Sequence, residues 1–105
     1  MQTQEAVRIH VPQQSIRRFC REYGLRELAL FGSVLRDDFT DQSDVDVLIE
    51  LPAHHEYSLF DLSRMQDKLT HILHRKVDLV TKDGLSRHLR QEILSTRKVL
   101  YVAQE

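Results

Sequence analysis

Apolar positions recur along the chain with two different periods. From Pro12 onward, Ile16, Phe19, Cys20 and Tyr23 follow helical spacing, and Gly24 can close the run. A proline suits the first turn of such a helix, where its missing N–H leaves nothing unpaired. Glu27–Phe31 (ELALF) is short and apolar, as a buried strand would be, and Gly32-Ser33 breaks it sharply. Val34–Phe39 is predicted to form a short helical turn. Ser43–Leu51 (SDVDVLIEL) is rich in β-branched residues and reads as a second strand, ended by Pro52. Tyr57–His74 is the clearest helix, with Leu59, Leu62, Met65, Leu69, Ile72 and Leu73 on one stripe. Lys76–Val80 is a third strand, ended by Thr81-Lys82-Asp83-Gly84, and Leu85, Leu89 and Ile93 suit one more helix. Val99–Val102 fits either the end of that helix or an extended strand. The order of elements predicts an α/β (α+β) domain, a small mixed sheet flanked by helices.

Composition narrows the function. At 105 residues, with 41% hydrophobic, the chain is expected to form one domain over 1–105, with little left for a separate substrate-binding lobe. Fifteen Lys and Arg against sixteen Asp and Glu give a net charge of −1, so no direct nucleic-acid contact and no membrane binding are expected from bulk charge. Cys20 is the single cysteine and cannot form an internal disulfide, which points to a reducing compartment. No apolar run approaches the roughly 20 residues of a membrane span, and the amino terminus MQTQEAVRIH lacks the apolar centre of a secretion signal. A cytoplasmic, soluble protein is expected.

Three features at strand ends carry candidate chemistry. Side chains alternate along a strand, so Asp44 and Asp46 project to one face, roughly 6–7 Å apart along the backbone. Two carboxylates so placed repel unless a cation sits between them, and Mg²⁺ takes such oxygen ligands together with phosphate oxygens and water. Asp78 interrupts the apolar run Val77-Asp78-Leu79-Val80. An acid inside a core strand is costly unless paired or coordinated. Beside Asp44 and Asp46 it makes a third carboxylate, able to act as a general base. Gly32 allows a sharp turn and a close backbone approach, and Ser33 offers a hydroxyl and an N–H. Arg36 can reach the same phosphates with its planar fork.

Each feature also has a plainer reading. Gly32-Ser33 alone is an ordinary turn and helix cap, and Asp44 and Asp46 alone fit a solvated strand edge. Asp78 can pair with Arg75 or Lys76, and Arg36 with Asp37 or Asp38. Arg64 and His71 form an Arg-x6-His spacing like a ribonuclease signature, but they project roughly opposite the apolar stripe as a solvated face. His54, His55, His71 and His74 with one cysteine make no tight zinc cluster. Cys20 reads as a small core residue.

Taken together, the string GSVLRDDFTDQSDVDVLIEL resembles the signature of the DNA polymerase β-like nucleotidyltransferase superfamily. That signature is Gly-Ser, a ten-residue spacer, Asp-x-Asp and a later strand acid; here Gly32-Ser33, Val34–Ser43, Asp44-Val45-Asp46 and Asp78 occupy those places. The short chain is most similar to the minimal nucleotidyltransferase (MNT) branch, and the likeness runs from Pro12 to Tyr101. The resemblance implies the polymerase β-like fold, with Asp44, Asp46 and Asp78 as catalytic and metal-binding acids. It also implies Gly32 and Ser33 as the triphosphate turn. Ser43 completes the Ser-Asp-x-Asp form, its hydroxyl bonding phosphate or capping local backbone. Many relatives read Gly-Ser-x-Ala-Arg-Gly. Here Arg36 is kept, but Leu35 and Asp37 replace the small residue and the glycine, and Asp37 and Asp38 bring negative charge near the turn.

The same resemblance implies an activity. MNT proteins are commonly antitoxins of HEPN/MNT toxin–antitoxin pairs, which implies Mg²⁺-dependent transfer of AMP from ATP to a tyrosine hydroxyl of a HEPN ribonuclease toxin within a hetero-oligomer. Two other functions fit the residues: neutralisation of a partner by contact without catalysis, and nucleotidyl transfer to a small molecule.

Overall fold

The computed structural model describes residues 7–104. Residues 1–6 and 105, which the expected 1–105 domain and the reading of the amino terminus include, lie outside the described residues. Helix α1 (Gln13–Tyr23) starts directly after Pro12 and ends at Gly24, whose left-handed φ of 65° lets its N–H cap Arg21 O at 3.2 Å. Strands β1 (Glu27–Phe31) and β2 (Val45–Glu50) form an antiparallel pair. Helix α2 (Leu59–Leu73) then carries the chain to β3 (Val77–Thr81), which lies parallel to β2. Helix α3 (Arg87–Thr96) leads to β4 (Lys98–Val102), antiparallel to β1, giving the sheet order β3-β2-β1-β4. This is the mixed sheet flanked by helices that the sequence predicts. Among the described residues no helix is long and apolar enough to cross a membrane.

The core lies on one face of the sheet. Leu28 and Leu30 of β1, Val45, Val47 and Ile49 of β2 and Val77 of β3 pack against Ile16, Phe19 and Cys20 of α1 and Met65, Leu69 and Leu73 of α2. Each fully buried large apolar side chain stabilises by about 1.5–3 kcal/mol. Cys20 belongs to this layer, as expected, and burial pushes its thiol up to about 12, which keeps it protonated and unreactive.

Alternation places the remaining residues on the opposite face. Phe31, Asp46 and Asp78 are register partners at one end of it, and Glu27 and Glu50 at the other. Glu27 is only 8% exposed. Its carboxylate accepts from Lys82 Nζ at 3.0 Å and from the Arg97 guanidinium, and Lys82 also reaches Glu50 at 3.2 Å. Burial pushes the Glu27 carboxyl up, but the hydrogen bonds from Arg97 and Lys82 outweigh it and hold the group below its ordinary value.

Several sequence expectations need correction. The short helical turn expected at Val34–Phe39 is a 3₁₀ turn over Gly32–Leu35, because Gly32 bends the chain at once and Arg36 is already extended. The second strand begins at Val45, one residue after Asp44, and the undecided tail is the strand β4. Leu59, expected on the buried stripe, is 82% exposed, as is its neighbour Phe60 at 79%; the buried face of α2 begins further on. The Ser58–Asp61 capping box fixes the start of that helix.

Candidate active site

The site forms where β1 runs out beside the start of β2. Phe31 pairs with Asp46, so the next residue, Gly32, turns directly over the Asp46 carboxylate. Gly32 has φ of +79°, and a Cβ built on it would stand 3.3 Å from Asp46 Cγ and collide with Oδ2. Any side chain would therefore fill the space between backbone and carboxylate, besides straining the turn. Behind it Val34 is fully buried and anchors the turn to the core, while Arg36 N donates to Ser33 O at 2.8 Å and closes it.

The spacer that follows is tied down in two places. Arg8 donates from its backbone N–H to Val34 O at 3.2 Å and from Nε to Arg36 O at 3.3 Å, and its guanidinium pairs with Asp37. Arg36 pairs with Asp38 at 3.2 Å. The two acids near the turn, Asp37 and Asp38, are thus each matched by an arginine. Further on, the Ser43 hydroxyl accepts from Thr40 N at 3.0 Å and so caps the local backbone. Arg75 donates to Thr40 O and Ser43 O, both at 2.9 Å, and its guanidinium lies 4.7 Å from the centre of the Phe39 ring.

Asp44, Asp46 and Asp78 are gathered at this end of the sheet. Val45 N donates to Lys76 O at 2.9 Å, and Asp46 and Asp78 face one another in the parallel register. Asp46 is half-buried, Asp44 and Asp78 exposed. Burial, then the charges of Asp78 and Asp44, raise the Asp46 pKa above its ordinary value, with Arg36 opposing them. The expectation that Asp78 sits in a core strand is corrected: among the described residues β3 is an edge strand, paired only with β2, and Asp78 is exposed. It forms no ion pair with Arg75 or Lys76.

Among the described residues, no three His, Cys, Asp or Glu side chains already stand in an ion-holding arrangement. An all-oxygen donor set of this kind fits a hard divalent cation such as Mg²⁺ and does not suit zinc. Asp44, Asp46 and Asp78 are the residues that would hold it.

Sequence reasoning missed Arg8 and placed Arg75 differently. A signal for the first existed: Val7, Ile9 and Val11 alternate with polar residues and pack on the core, which turns Arg8 outward toward the spacer. The Arg64 and His71 pair lines a cavity of about 530 Å³ between α1 and α2, where Arg64 bonds Asp61 at 3.4 Å. It has no part in the carboxylate cluster.

Comparisons with known proteins agree with this geometry. The model of the family described as Nucleotidyltransferase domain matches residues 13–101. The protein adenylyltransferase MntA of Thermococcus cleftensis is 35% identical over 76% of this chain and 77% of its own length. A candidate protein adenylyltransferase of Methanocaldococcus jannaschii is 36% identical over 61% of this chain, and the chain spans 63% of that relative's length. Among solved structures, a chain of a complex between a tri-AMPylated Shewanella oneidensis HEPN toxin and an MNT antitoxin superposes with a TM-score of 0.64 at 24% identity, covering 88% of this chain and 71% of that one. That likeness is one of fold.

Proposed function

Since the chain belongs to the nucleotidyltransferase domain family, as a minimal nucleotidyltransferase of the polymerase β-like superfamily, we propose that it transfers AMP from ATP to a tyrosine hydroxyl of a HEPN-type toxin and so acts as the antitoxin. The observation that carries this reading is Gly32 bent over Asp46 with Asp78 in the same register. A turn without a side chain beside a carboxylate cluster brings a polyphosphate and divalent-ion ligands to one point.

In this reading the Gly32-Ser33 turn binds the triphosphate through its N–H groups and the Ser33 hydroxyl. Arg36 exchanges Asp38 for a phosphate oxygen. Asp44, Asp46 and Asp78 hold Mg²⁺, which when bound neutralises charge on the phosphates and on the leaving pyrophosphate. Asp78, exposed at the sheet edge, accepts the proton of the incoming hydroxyl. The hydroxyl oxygen bonds to the α-phosphorus, the bond from that phosphorus to the bridging oxygen breaks, and pyrophosphate leaves with the electron pair. The HEPN protein supplies the acceptor surface, in a cytoplasmic hetero-oligomer with ATP at hand. The AMPylated state of the toxin in the Shewanella complex supports the choice of acceptor and of AMP.

The test is transfer from ATP radiolabelled at the α-phosphate to a co-purified HEPN partner, comparing wild type with Asp44→Asn/Asp46→Asn. Label on a partner tyrosine, lost in the variant and absent with γ-labelled ATP, is expected. Neutralisation that survives in the variant without any label would replace this reading with neutralisation by contact.

A further inference from the structure

The three carboxylates are not held in the same way. Asp46 and Asp78 lie within strands, and the β2–β3 ladder fixes their backbones against one another. Asp44 lies just outside the ladder, between Val45, whose N–H bonds Lys76 O, and the Thr40–Ser43 turn, so on its N-terminal side it is only as firm as that turn. The turn has four internal bonds: Ser43 N to Thr40 O and Thr40 N to Ser43 Oγ, both at 3.0 Å, Gln42 N to Thr40 Oγ1 at 3.1 Å, and one between the Thr40 and Ser43 hydroxyls at 3.3 Å. Its one tie to the rest of the protein through a side chain, among the described residues, is Arg75.

Resting on the assignment of Asp44 as a metal ligand, we propose that Arg75 is the positioning residue for Asp44. Nη2 of Arg75 donates to the carbonyls of Thr40 and Ser43, one at each end of the turn, at 2.9 Å each. The second of these belongs to the residue before Asp44. The guanidinium carbon also lies over the Phe39 ring, 4.7 Å from its centre, within cation–π range. Arg75 itself sits between α2 and β3, three residues before Asp78. It therefore references the loop that delivers Asp44 to the strand that carries Asp78, and sets the separation of the outer carboxylates. Two charge-assisted bonds and a ring contact on a half-buried arginine are more than a solvated side chain would make. A lysine keeps the charge without the planar guanidinium.

The experiment is a Mn²⁺ titration in the presence of the non-transferable analogue α,β-methylene-ATP, following free Mn²⁺ by electron paramagnetic resonance. It compares wild type, Arg75→Ala, Arg75→Lys, Asp44→Ala and the double variant Arg75→Ala/Asp44→Ala. Arg75→Ala is expected to weaken Mn²⁺ binding about tenfold, the usual effect of losing a residue that orients a ligand. Arg75→Lys is expected to lie between it and wild type. The Arg75→Ala loss is expected to vanish when Asp44 is already alanine, because the two act as one unit. Arg75→Lys keeps the positive charge and so serves if the alanine variant folds poorly. Wild-type Mn²⁺ affinity in both Arg75 variants would overturn the inference, as would an equal loss with and without Asp44. Wild-type affinity in Asp44→Ala would instead overturn the assignment of Asp44 as a ligand, and the inference with it.

Discussion

Replacing Gly32 with alanine attacks the site through its backbone, and the structure separates two penalties. The first is conformational: at φ +79° an L-residue carries a cost of about 1–2 kcal/mol. The second is steric, since the new Cβ would overlap Asp46 Oδ2 and approach Asp46 Cγ at 3.3 Å and Cβ at 3.6 Å. Overpacking of this kind costs about 1–3 kcal/mol. Because Asp46 is held in the ladder between Phe31 and Asp78, relief must come from rotation of its carboxylate or displacement of the turn. Either moves a proposed ligand against the proposed phosphate turn, and misplacement of about 1 Å at a reacting centre lowers a rate by about 10²-fold. Urea unfolding of Gly32→Ala is expected to show a loss of about 2–5 kcal/mol, the two costs together. In an Asp46→Ala background the collision is gone and only the conformational part, about 1–2 kcal/mol, should remain. An equal loss in both backgrounds would refute the proposed collision, and wild-type stability together with wild-type AMP transfer would refute the whole account of the turn.

Three further outcomes follow from named contacts. The raised pKa of Asp46 means that its ionisation opposes folding: the penalty is absent while the group is protonated in both states and grows as pH rises from its ordinary 3.8 through the higher folded value. Asp46→Asn should therefore melt above wild type near about pH 7 and together with it at about pH 3, read by thermal unfolding across pH; a gap that persists in acid would contradict this. Glu27→Ala leaves Lys82 and Arg97 half-stripped of their partner in a nearly buried place, and a loss of about 3 kcal/mol is expected by chemical denaturation. His74 ends α2 in the left-handed region at φ 57°, where glycine carries no Cβ penalty. His74→Gly should gain about 0.5–1 kcal/mol, visible as a higher melting temperature.

The parts of this fold that were legible in the sequence are those with a short-range period. Ile16, Phe19 and Cys20 announce a helix, and Val45, Val47 and Ile49 a strand, because each pattern repeats within a few residues. Gly32-Ser33 and Asp44-Val45-Asp46 were legible as a site because a fixed spacer joins them. The five residues of β4 were not, since so short an apolar run fits helix or strand until β1 offers it a partner. The edge position of β3 was hidden for a similar reason: Val77, Leu79 and Val80 look like a buried run, and only the strand order shows that no described strand pairs with its outer side. Arg8 and Arg75 act across 28 to 35 positions of sequence, where no local period reaches.

The alternation along β2 has one more consequence. Val45, Val47 and Ile49 build the core while Asp46, Leu48 and Glu50 look the other way. A slip of one residue would turn Asp46 into the apolar layer and take Val45, Val47 and Ile49 out of it, each worth about 1.5–3 kcal/mol when buried there. A stably folded but misaligned chain is thereby ruled out by energy. Every molecule that survives folding carries its acids on the correct side, so the accuracy of the chemistry is proofread by the same collapse that makes the domain solid.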